Sequence, residues 1–366
     1  MQRVLHVVGA RPNFMKVAPI VHAMAREPGQ FDQLLVHTGQ HYDANMSHVF
    51  FEELGLPRPD VNLGVGSGSH AQQTAVVMQK FEPILLEYQP DWLVVPGDVN
   101  STLACALVAA KLGTKIAHVE AGLRSFDRTM PEEINRVLTD QISELLFTPS
   151  KDADQNLQRE GIDEARICFV GNVMIDTLVR LLPKAEERWP NLLREFKLGD
   201  YLLVTLHRPS NVDDPTTLSQ IMQALQQLGR DIQVVFPVHP RTRSKLAQIG
   251  FGATISGIRL LEPFGYLDFL ALQAHAALVL TDSGGVQEET TYLGIPCLTA
   301  RPNTERPVTI SLGTNRLVKS HCSAIVKEAK AQLDGDRRLS SVNSAPPALW
   351  DGKAADRIVD ALRKAD

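Results

Sequence analysis

The feature that most constrains the fold is the regular alternation of short apolar runs with longer segments of helical periodicity. Alternation of this kind is typical of a parallel sheet covered by helices, because each crossover between parallel strands is made by a helix. Helical patterns such as Met15–Glu27 and Ala71–Tyr88 lie between the runs. The runs that predict strands in the first half are Val4–Val8, Gln33–Thr38, Asp91–Pro96, Lys115–Val119, Leu145–Thr148 and Arg166–Val170.

The second half repeats the pattern, with Leu218–Leu228 and Gly285–Leu293 as helices. Its predicted strands are Tyr201–Leu206, Gln233–Val238, Ile258–Leu261, Ala277–Leu280 and Pro296–Leu298. A chain of 366 residues at roughly 150 residues per domain indicates two domains. We predict an α/β protein with two Rossmann-like domains whose parallel sheets face each other across a cleft. The expected bounds are 1–180 and 181–348, with Leu182–Lys197 as helix plus linker. An amphipathic helix in 349–366 is expected to pack back on the first domain.

Composition excludes several classes of protein. A net charge of −5 argues against a dedicated nucleic-acid binder, which usually has a basic excess. The four cysteines are far apart and form no CxxC pair, so neither a disulfide framework nor a zinc site is predicted. No run reaches the ~20 apolar residues that span a bilayer, and the N-terminus enters a strand without a signal peptide. We therefore expect a cytoplasmic protein with no membrane, nucleic-acid or metal partner.

Candidate site residues follow the first-half strands, because ligands bind at the carboxyl ends of parallel strands. Arg11 and Lys16 lie in a glycine turn and the helix after it, where a helix N-terminus attracts anions. A solvated surface charge is the alternative for either cation, and no GxGxxG fingerprint is present. Asp98 and Glu120 each end a strand beside a glycine. Glu132 opens a helix, where an acid also suits the helix dipole. Several carboxylates in one site suit acid–base work.

The second half contains a signal for a nucleotide diphosphate. Ser283-Gly284-Gly285 opens a helix directly after a buried strand, so backbone N–H groups are available to a phosphate. Glu289 lies about one turn further on, where its carboxylate suits ribose hydroxyls. Arg306 supplies a cation, with a surface ion pair as the alternative. His207 follows another strand, a position where a lone histidine is more often structural.

These motifs, taken in order, resemble those of the non-hydrolysing UDP-N-acetylglucosamine 2-epimerases. The resemblance extends from residue 9 to Asp351–Ala355, and so covers nearly the whole chain. It implies the two-domain GT-B fold, which many nucleotide-sugar glycosyltransferases share. The matching segments are Gly9–Pro12, Thr38–His41, Gly97-Asp98, His118–Arg124, Pro131–Glu133, Thr281–Glu289 and Thr304–Pro307.

The resemblance also implies an activity: epimerisation of UDP-GlcNAc at C2 to UDP-ManNAc, by elimination of UDP to 2-acetamidoglucal and its re-addition, without NAD or metal. It further implies a homodimer and the following roles. By motif position, the acid/base carboxylates are Asp98, Glu120 and Glu132, and the histidine near the diphosphate is His207. The implied contacts with the anion and the sugar come from Arg11, Lys16 and Arg306. The diphosphate turn is formed by Ser283, Gly284 and Gly285, ribose is bound by Glu289, and uracil is contacted by Phe264 and Phe269.

The sequence also departs from the best-known bacterial members. Asn13 replaces a glutamate, while Asp43, Pro209 and Ser210 differ where some bacterial members build an allosteric UDP-GlcNAc site. The stretch His41–Ser47 resembles a subgroup that epimerises UDP-2,3-diacetamido-glucuronate. Four alternatives therefore stand beside the main hypothesis: that modified sugar, the hydrolysing reaction, a GT-B glycosyltransferase, and a nucleotide-sugar sensor without turnover.

Overall fold

The computed structural model describes residues 1–39, 53–252, 255–334 and 345–365, with the exception of the Arg11 side chain. The chain divides into two compact units. Unit 1 comprises Met1–Arg180 and Ala348–Asp366, and unit 2 comprises Leu181–Pro347. The predicted residues Gln40–Ser47, including Asp43, lie outside the described residues.

Unit 1 contains a seven-stranded parallel sheet in the order β3-β2-β1-β4-β5-β6-β7. From β1 the chain first adds β2 and β3 on one side of the sheet and then β4 to β7 on the other side. The topological switch point therefore lies between the carboxyl ends of β1 and β4, the place where ligands bind in open α/β sheets. The strands are β1 (Gln2–Val8), β2 (Phe31–His37), β3 (Val61–Asn62), β4 (Trp92–Pro96), β5 (Lys115–Val119), β6 (Leu145–Thr148) and β7 (Ile167–Phe169).

Helices cover both faces of this sheet and enclose two apolar clusters. Local signals define their ends: Ser69 accepts a hydrogen bond from the Gln72 N–H at the start of α2, and Gly113 ends α3 in the left-handed region. The helices are α1 (Arg11–Ala25), α2 (His70–Tyr88), α3 (Asn100–Leu112), α4 (Pro131–Ile142), α5 (Lys151–Arg159) and α6 (Val173–Glu195). A 3₁₀ turn spans Glu164–Arg166.

Unit 2 repeats the topology in a six-stranded parallel sheet, with the order β10-β9-β8-β11-β12-β13. Its switch point lies between β8 and β11. The strands are β8 (Tyr201–Thr205), β9 (Gln233–Pro237), β10 (Ile258–Leu261), β11 (Leu278–Thr281), β12 (Cys297–Ala300) and β13 (Asn315–Val318). The helices are α7 (Pro209–Val212), α8 (Pro215–Leu228), α9 (Pro240–Gln248), α10 (Tyr266–Ala274), α11 (Gly284–Leu293), α12 (Val308–Ser311) and α13 (Cys322–Asp334).

The last helix, α14 (Ala354–Lys364), packs on α1 in unit 1. Its apolar face buries Ile358 and Leu362 in the cluster that contains Met24. The Asp176 carboxylate accepts hydrogen bonds from the N–H groups of Ala354 (3.1 Å) and Ala355 (2.7 Å). Burial raises the pKa of Asp176 to about 6. A carboxylate at this helix N-terminus satisfies donors that the helix leaves unpaired.

The predicted α/β class with two parallel sheets is confirmed, whereas two edge strands were missed. β3 has only two residues, and β13 mixes polar and apolar residues, so neither forms an apolar run. The segment predicted as helix plus linker is the second half of α6 and the turn after it. In the parts of the chain described, no helix is long and apolar enough to cross a membrane.

Candidate active site

The end of β1 is joined to the end of β4 by Asn13, at the switch point of unit 1. The Asn13 side-chain oxygen accepts hydrogen bonds from the N–H groups of Gly9 (3.2 Å) and Ala10 (2.9 Å). Its amide nitrogen donates to the Pro96 carbonyl at 3.1 Å. The residue that departs from the bacterial pattern therefore has a structural task here: it fixes the turn that leads into α1.

Lys16 and Glu120 form an ion pair beside Gly97. Their exposed fractions are only 5% and 7%. A Cβ atom placed on Gly97 would lie 2.9 Å from Lys16 Nζ and 3.4 Å from Glu120 Oε2, so the pair needs a glycine at this turn. Glu120 has a φ of 71°, in the left-handed region that costs a non-glycine residue about 1 kcal/mol. Strain of this kind is concentrated at functional sites.

Asp98 follows Gly97 directly and forms an ion pair with Arg136 on α4. Arg136 also donates to Glu133 Oε2 at 2.9 Å. Glu133 in turn accepts hydrogen bonds from the N–H groups of Ser125 (2.9 Å) and Phe126 (2.8 Å), which orders the loop after β5. The Asp98 carboxylate is about one-quarter exposed, so it is open to a ligand while its orientation is held.

The remaining predicted residues of unit 1 are placed differently. Glu132 lies in the first turn of α4 and is exposed. Arg11 begins α1, but its side chain lies outside the described residues. The structure thus brings together Lys16, Asp98 and Glu120 around Gly97.

The N-terminus of α11 lies at the switch point of unit 2, directly after β11. Ser283 is its N-cap, but the Ser283 side chain makes no capping hydrogen bond, so the first N–H groups of α11 are not capped by that hydroxyl. Arg306 lies against this end of the helix: a Cβ atom on Gly284 would lie 2.7 Å from Arg306 Cζ. A glycine turn, a helix N-terminus and a guanidinium together form an anion-binding arrangement.

Two buried glutamates hold Arg306 in place. Its guanidinium lies 2.9 Å from Glu288 Oε1 and 2.5 Å from Glu305 Oε1. Glu305 also pairs with Arg301 at 2.7 Å. Because the guanidinium is pre-oriented, little conformational entropy is lost when it meets an anion.

His207 is held by Asp282, a fully buried carboxylate at the end of β11. Asp282 Oδ1 lies 2.9 Å from His207 Nδ1, and the carboxylate also accepts from the backbone N–H groups of His207 and Arg208. Burial by itself raises the pKa of Asp282, but contacts with His207 and Asn211 hold that pKa below its usual value. The contact with Nδ1 leaves Nε2 as the nitrogen that faces outwards, on a side chain 61% exposed.

Glu289 is buried on α11 and accepts a hydrogen bond from the Tyr266 hydroxyl at 2.9 Å. Burial raises the pKa of Glu289 to about 7, even though the hydrogen bond from Tyr266 lowers it. Phe264 and Phe269 are both half-buried; Phe264 packs edge-on against Phe196 with ring centroids 5.6 Å apart.

Sequence reasoning missed Arg136, Asp282 and Tyr266, which orient the predicted Asp98, His207 and Glu289. A signal existed for two of them. Arg136 lies three residues after Glu133 on a predicted helix, the spacing at which side chains meet. Asp282 directly follows the segment Ala277–Thr281, which contains a predicted buried strand. Nothing in the sequence links Tyr266 to Glu289, because the two residues lie on different helices.

The two parallel sheets, each with polar residues at its switch point, define a protein of the GT-B-like class. A glycosyltransferase of kitacinnamycin has the same fold, with a TM-score of 0.58 over 99% of this chain and 98% of that one. At 12% sequence identity this likeness concerns the fold alone. The chain belongs to the UDP-N-acetylglucosamine 2-epimerase family, whose sequence profile matches residues 22–363.

Individual relatives agree with this assignment. A UDP-N-acetylglucosamine 2-epimerase of Methanocaldococcus jannaschii is 44% identical over 97% of both chains. Its crystal structure, in complex with UDP-GlcNAc and UDP, gives a TM-score of 0.91 and covers 99% of this chain and 100% of that one. A UDP-2,3-diacetamido-2,3-dideoxy-D-glucuronate 2-epimerase of Pseudomonas aeruginosa is 40% identical over 99% of both chains.

Proposed function

We propose that this chain is an isomerase that interconverts UDP-GlcNAc and UDP-ManNAc. The observation that carries the proposal is the pair of carboxylates, Asp98 and Glu120, beside Gly97 at one switch point, in a chain of this epimerase family. Each carboxylate is paired with a buried cation. Paired carboxylates suit a reaction that removes a proton from carbon and later returns one.

The reaction that we propose has two halves. In the first, a carboxylate takes the C2 proton, the C–H electrons form the C1=C2 double bond of 2-acetamidoglucal, and UDP leaves with the electron pair of the C1–O bond. In the second, a UDP oxygen re-adds to C1 while a carboxylic acid delivers a proton to the opposite face of C2. The sum is an isomerisation without an oxidant, so the proposal includes neither a nicotinamide nor a metal. We assign the two proton transfers to Asp98, Glu120 and Glu132 as a set.

Unit 2 supplies the contacts with UDP in this proposal. The N–H groups of Ser283–Gly285 and the Arg306 guanidinium bind the diphosphate, where leaving-group charge develops. His207, oriented by Asp282, lies near the same phosphates in this proposal. Glu289 accepts from ribose hydroxyls, which suits a buried carboxylate with one oxygen already bonded to Tyr266. Phe264 and Phe269 contact uracil, whereas Arg11 and Lys16 of unit 1 contact the anion and the sugar.

A second candidate substrate is UDP-2,3-diacetamido-glucuronate, which the 40% identity to the Pseudomonas aeruginosa enzyme favours. The chemistry at C2 is the same, because the two substrates differ only in groups on other carbons of the sugar.

We further propose a homodimer that acts in the cytoplasm. All four cysteines are free, which suits a reducing compartment. Phe126, Ile134 and Leu138 expose apolar side chains on and near α4, a feature typical of an interface. Light scattering that gives the mass of a single 40.4 kDa chain would contradict the dimer.

The experiment that tests the proposed function is proton NMR of the purified protein with each UDP-sugar in deuterium oxide. We expect UDP-ManNAc from UDP-GlcNAc, with deuterium at C2 of both epimers. Asp98→Asn, purified in the same way, controls for a contaminating host epimerase. Free ManNAc with UDP would indicate the hydrolysing reaction. Turnover of the diacetamido-uronate alone would move the assignment to that sugar. No change with either sugar would contradict an epimerase and return the glycosyltransferase and the sensor to consideration.

A further inference from the structure

Two histidines in the sheet of unit 1 are fully buried but have different partners. His6 lies on β1 and His118 on β5, on either side of β4. His6 Nε2 meets the Gln33 side-chain oxygen at 3.1 Å, and among the described residues His6 Nδ1 has no hydrogen-bond partner. Burial lowers the pKa of His6 to about 4, although Gln33 opposes the shift. His6 is therefore neutral at pH 7.

His118, by contrast, meets an acceptor on each ring nitrogen. Its Nε2 lies 2.7 Å from the Gly97 carbonyl oxygen, and its Nδ1 lies 2.6 Å from Asp140 Oδ1. A carbonyl oxygen only accepts hydrogen bonds, so Nε2 is the donor there. An ionised carboxylate also only accepts, so Nδ1 donates as well. An imidazole that donates from both nitrogens carries two protons and a positive charge.

The surroundings of Asp140 decide where the shared proton lies. The alternative is a neutral Asp140 that donates to His118 Nδ1. Against it, Asp140 Oδ2 accepts the Gly122 N–H at 3.1 Å and faces Arg124 at 2.7 Å, both of which favour an ionised carboxylate. Burial alone raises the pKa of Asp140, yet His118 and Arg124 together hold that pKa below its usual value. Arg124 is balanced in turn by Glu160 at 2.6 Å.

The bond from His118 acts on the turn that holds the candidate carboxylates. The Gly97 carbonyl belongs to the peptide group that links Gly97 to Asp98. The Gly97 α-carbon lies against the pair formed by Lys16 and Glu120. His118 also lies two residues before Glu120 in the chain. One imidazole thus fixes the peptide before Asp98 and the strand that leads to Glu120.

We propose that His118 is a doubly protonated positioning residue, which holds the Gly97–Asp98 peptide so that Asp98 and Glu120 keep their mutual placement. Its effect on turnover rests on the proposed function, whereas its protonation state does not. Misplacement of a catalytic group by about 1 Å costs up to about 100-fold in rate. Loss of the hydrogen bond from His118 to the Gly97 carbonyl is therefore expected to lower kcat measurably.

The first test measures the protonation state in the whole protein. Nitrogen-15 labelling of histidine, followed by NMR at pH 7, reports which ring nitrogens carry a proton. We expect both nitrogens of His118 to be protonated and only one of His6, with signals assigned by their loss in His118→Gln and His6→Gln. A single protonated nitrogen at His118 would overturn the proposal, whether or not any UDP-sugar is turned over.

The second test separates positioning from folding. In His118→Gln the side-chain amide group can donate to only one of the two acceptors, the Gly97 carbonyl or the Asp140 carboxylate. We expect kcat to fall about 10- to 100-fold while the UDP dissociation constant changes less than about twofold. His6→Gln is the matched control: it alters a second buried histidine of the same sheet, and we expect a lower thermal midpoint with kcat within about twofold. Equal kcat losses in the two variants would refute the positioning role, even if NMR finds two protons on wild-type His118.

Discussion

The two sheets have the same topology but carry different groups at their switch points. In unit 1 the ends of β4 and β5 carry carboxylates, Asp98 and Glu120, each paired with a cation. In unit 2 the end of β11 leads to the N-terminus of α11, and Arg306, from the loop after β12, lies against it. The carboxylates Asp282 and Glu288 there pair with His207 and Arg306. One scaffold therefore presents anionic groups in one unit and an anion-binding end in the other.

The difference supports the separate tasks that we propose for equivalent places in the two units. Glu120 and Asp98 pair with Lys16 of α1 and Arg136 of α4, and these cations hold the orientation of the two carboxylates. Arg306 is held by Glu288 and Glu305 beside the first turn of α11, where the Ser283 side chain makes no capping hydrogen bond. The strands place both sets at carboxyl ends, and the residues after each strand determine whether carboxylates or an uncapped helix N-terminus are presented there. The roles of base and phosphate site that we propose rest on this difference.

The largest expected effect is on catalysis by unit 1. Asp98→Asn and Glu120→Gln each remove a group for proton transfer while retaining its size, and we expect kcat to fall at least about 100-fold. The UDP dissociation constant, measured by calorimetry, is expected to change less than about threefold, because the diphosphate contacts that we propose in unit 2, Ser283–Gly285 and Arg306, are unchanged in both variants. Asp163→Asn, on an exposed carboxylate that caps a 3₁₀ turn, is the control. Near-wild-type kcat in both site variants would remove the assigned roles.

An intermediate effect is expected on binding by unit 2. In Gly284→Ala the new methyl group meets the Arg306 guanidinium and forces it from the end of α11. We expect the UDP dissociation constant to rise about 10-fold, the loss of one charge-assisted hydrogen bond. Gly199→Ala is a matched control, because a Cβ atom there meets no atom within 4 Å. Equal dissociation constants for the two variants would place the diphosphate elsewhere.

The smallest expected effect is on the pH dependence of stability. Burial raises the pKa of Glu289 from 4.5 to about 7, so between these values the folded protein binds more protons than the unfolded chain. The stability that the protonated group confers is complete below the unfolded pKa and is lost as the pH rises through about 7. We expect the thermal midpoint of wild type, relative to Glu289→Gln, to fall by roughly 3 °C between pH 5 and pH 8. Parallel curves for the two proteins would contradict a raised pKa.

Much of the fold and some of the site were predictable from local sequence. The apolar runs predicted eleven of the thirteen strands that the described part of the chain contains, because central strands of a parallel sheet are buried on both faces. Lys16, Asp98 and Glu120 were predicted from strand ends, and the structure brings them together. Glu132 was predicted at a helix start, and its acid/base role only from the resemblance; the structure places it, exposed, on the first turn of α4. Local signals existed for Arg136 and Asp282, but which side chain each of them meets was not predictable, because the partner comes from another element; for Tyr266 no signal existed.

The sequence by itself determined the parallel α/β architecture, the family, and the position of polar groups after particular strands, since these depend on periodicity and on motifs within one segment. Only the tertiary structure decided which charges meet: Lys16 with Glu120, Arg136 with Asp98, and Asp282 with His207. It also distinguished two equally buried histidines, His6 and His118. The physical reason is that protonation and orientation depend on donors and acceptors within about 3 Å, which a fold brings together from residues far apart in the chain.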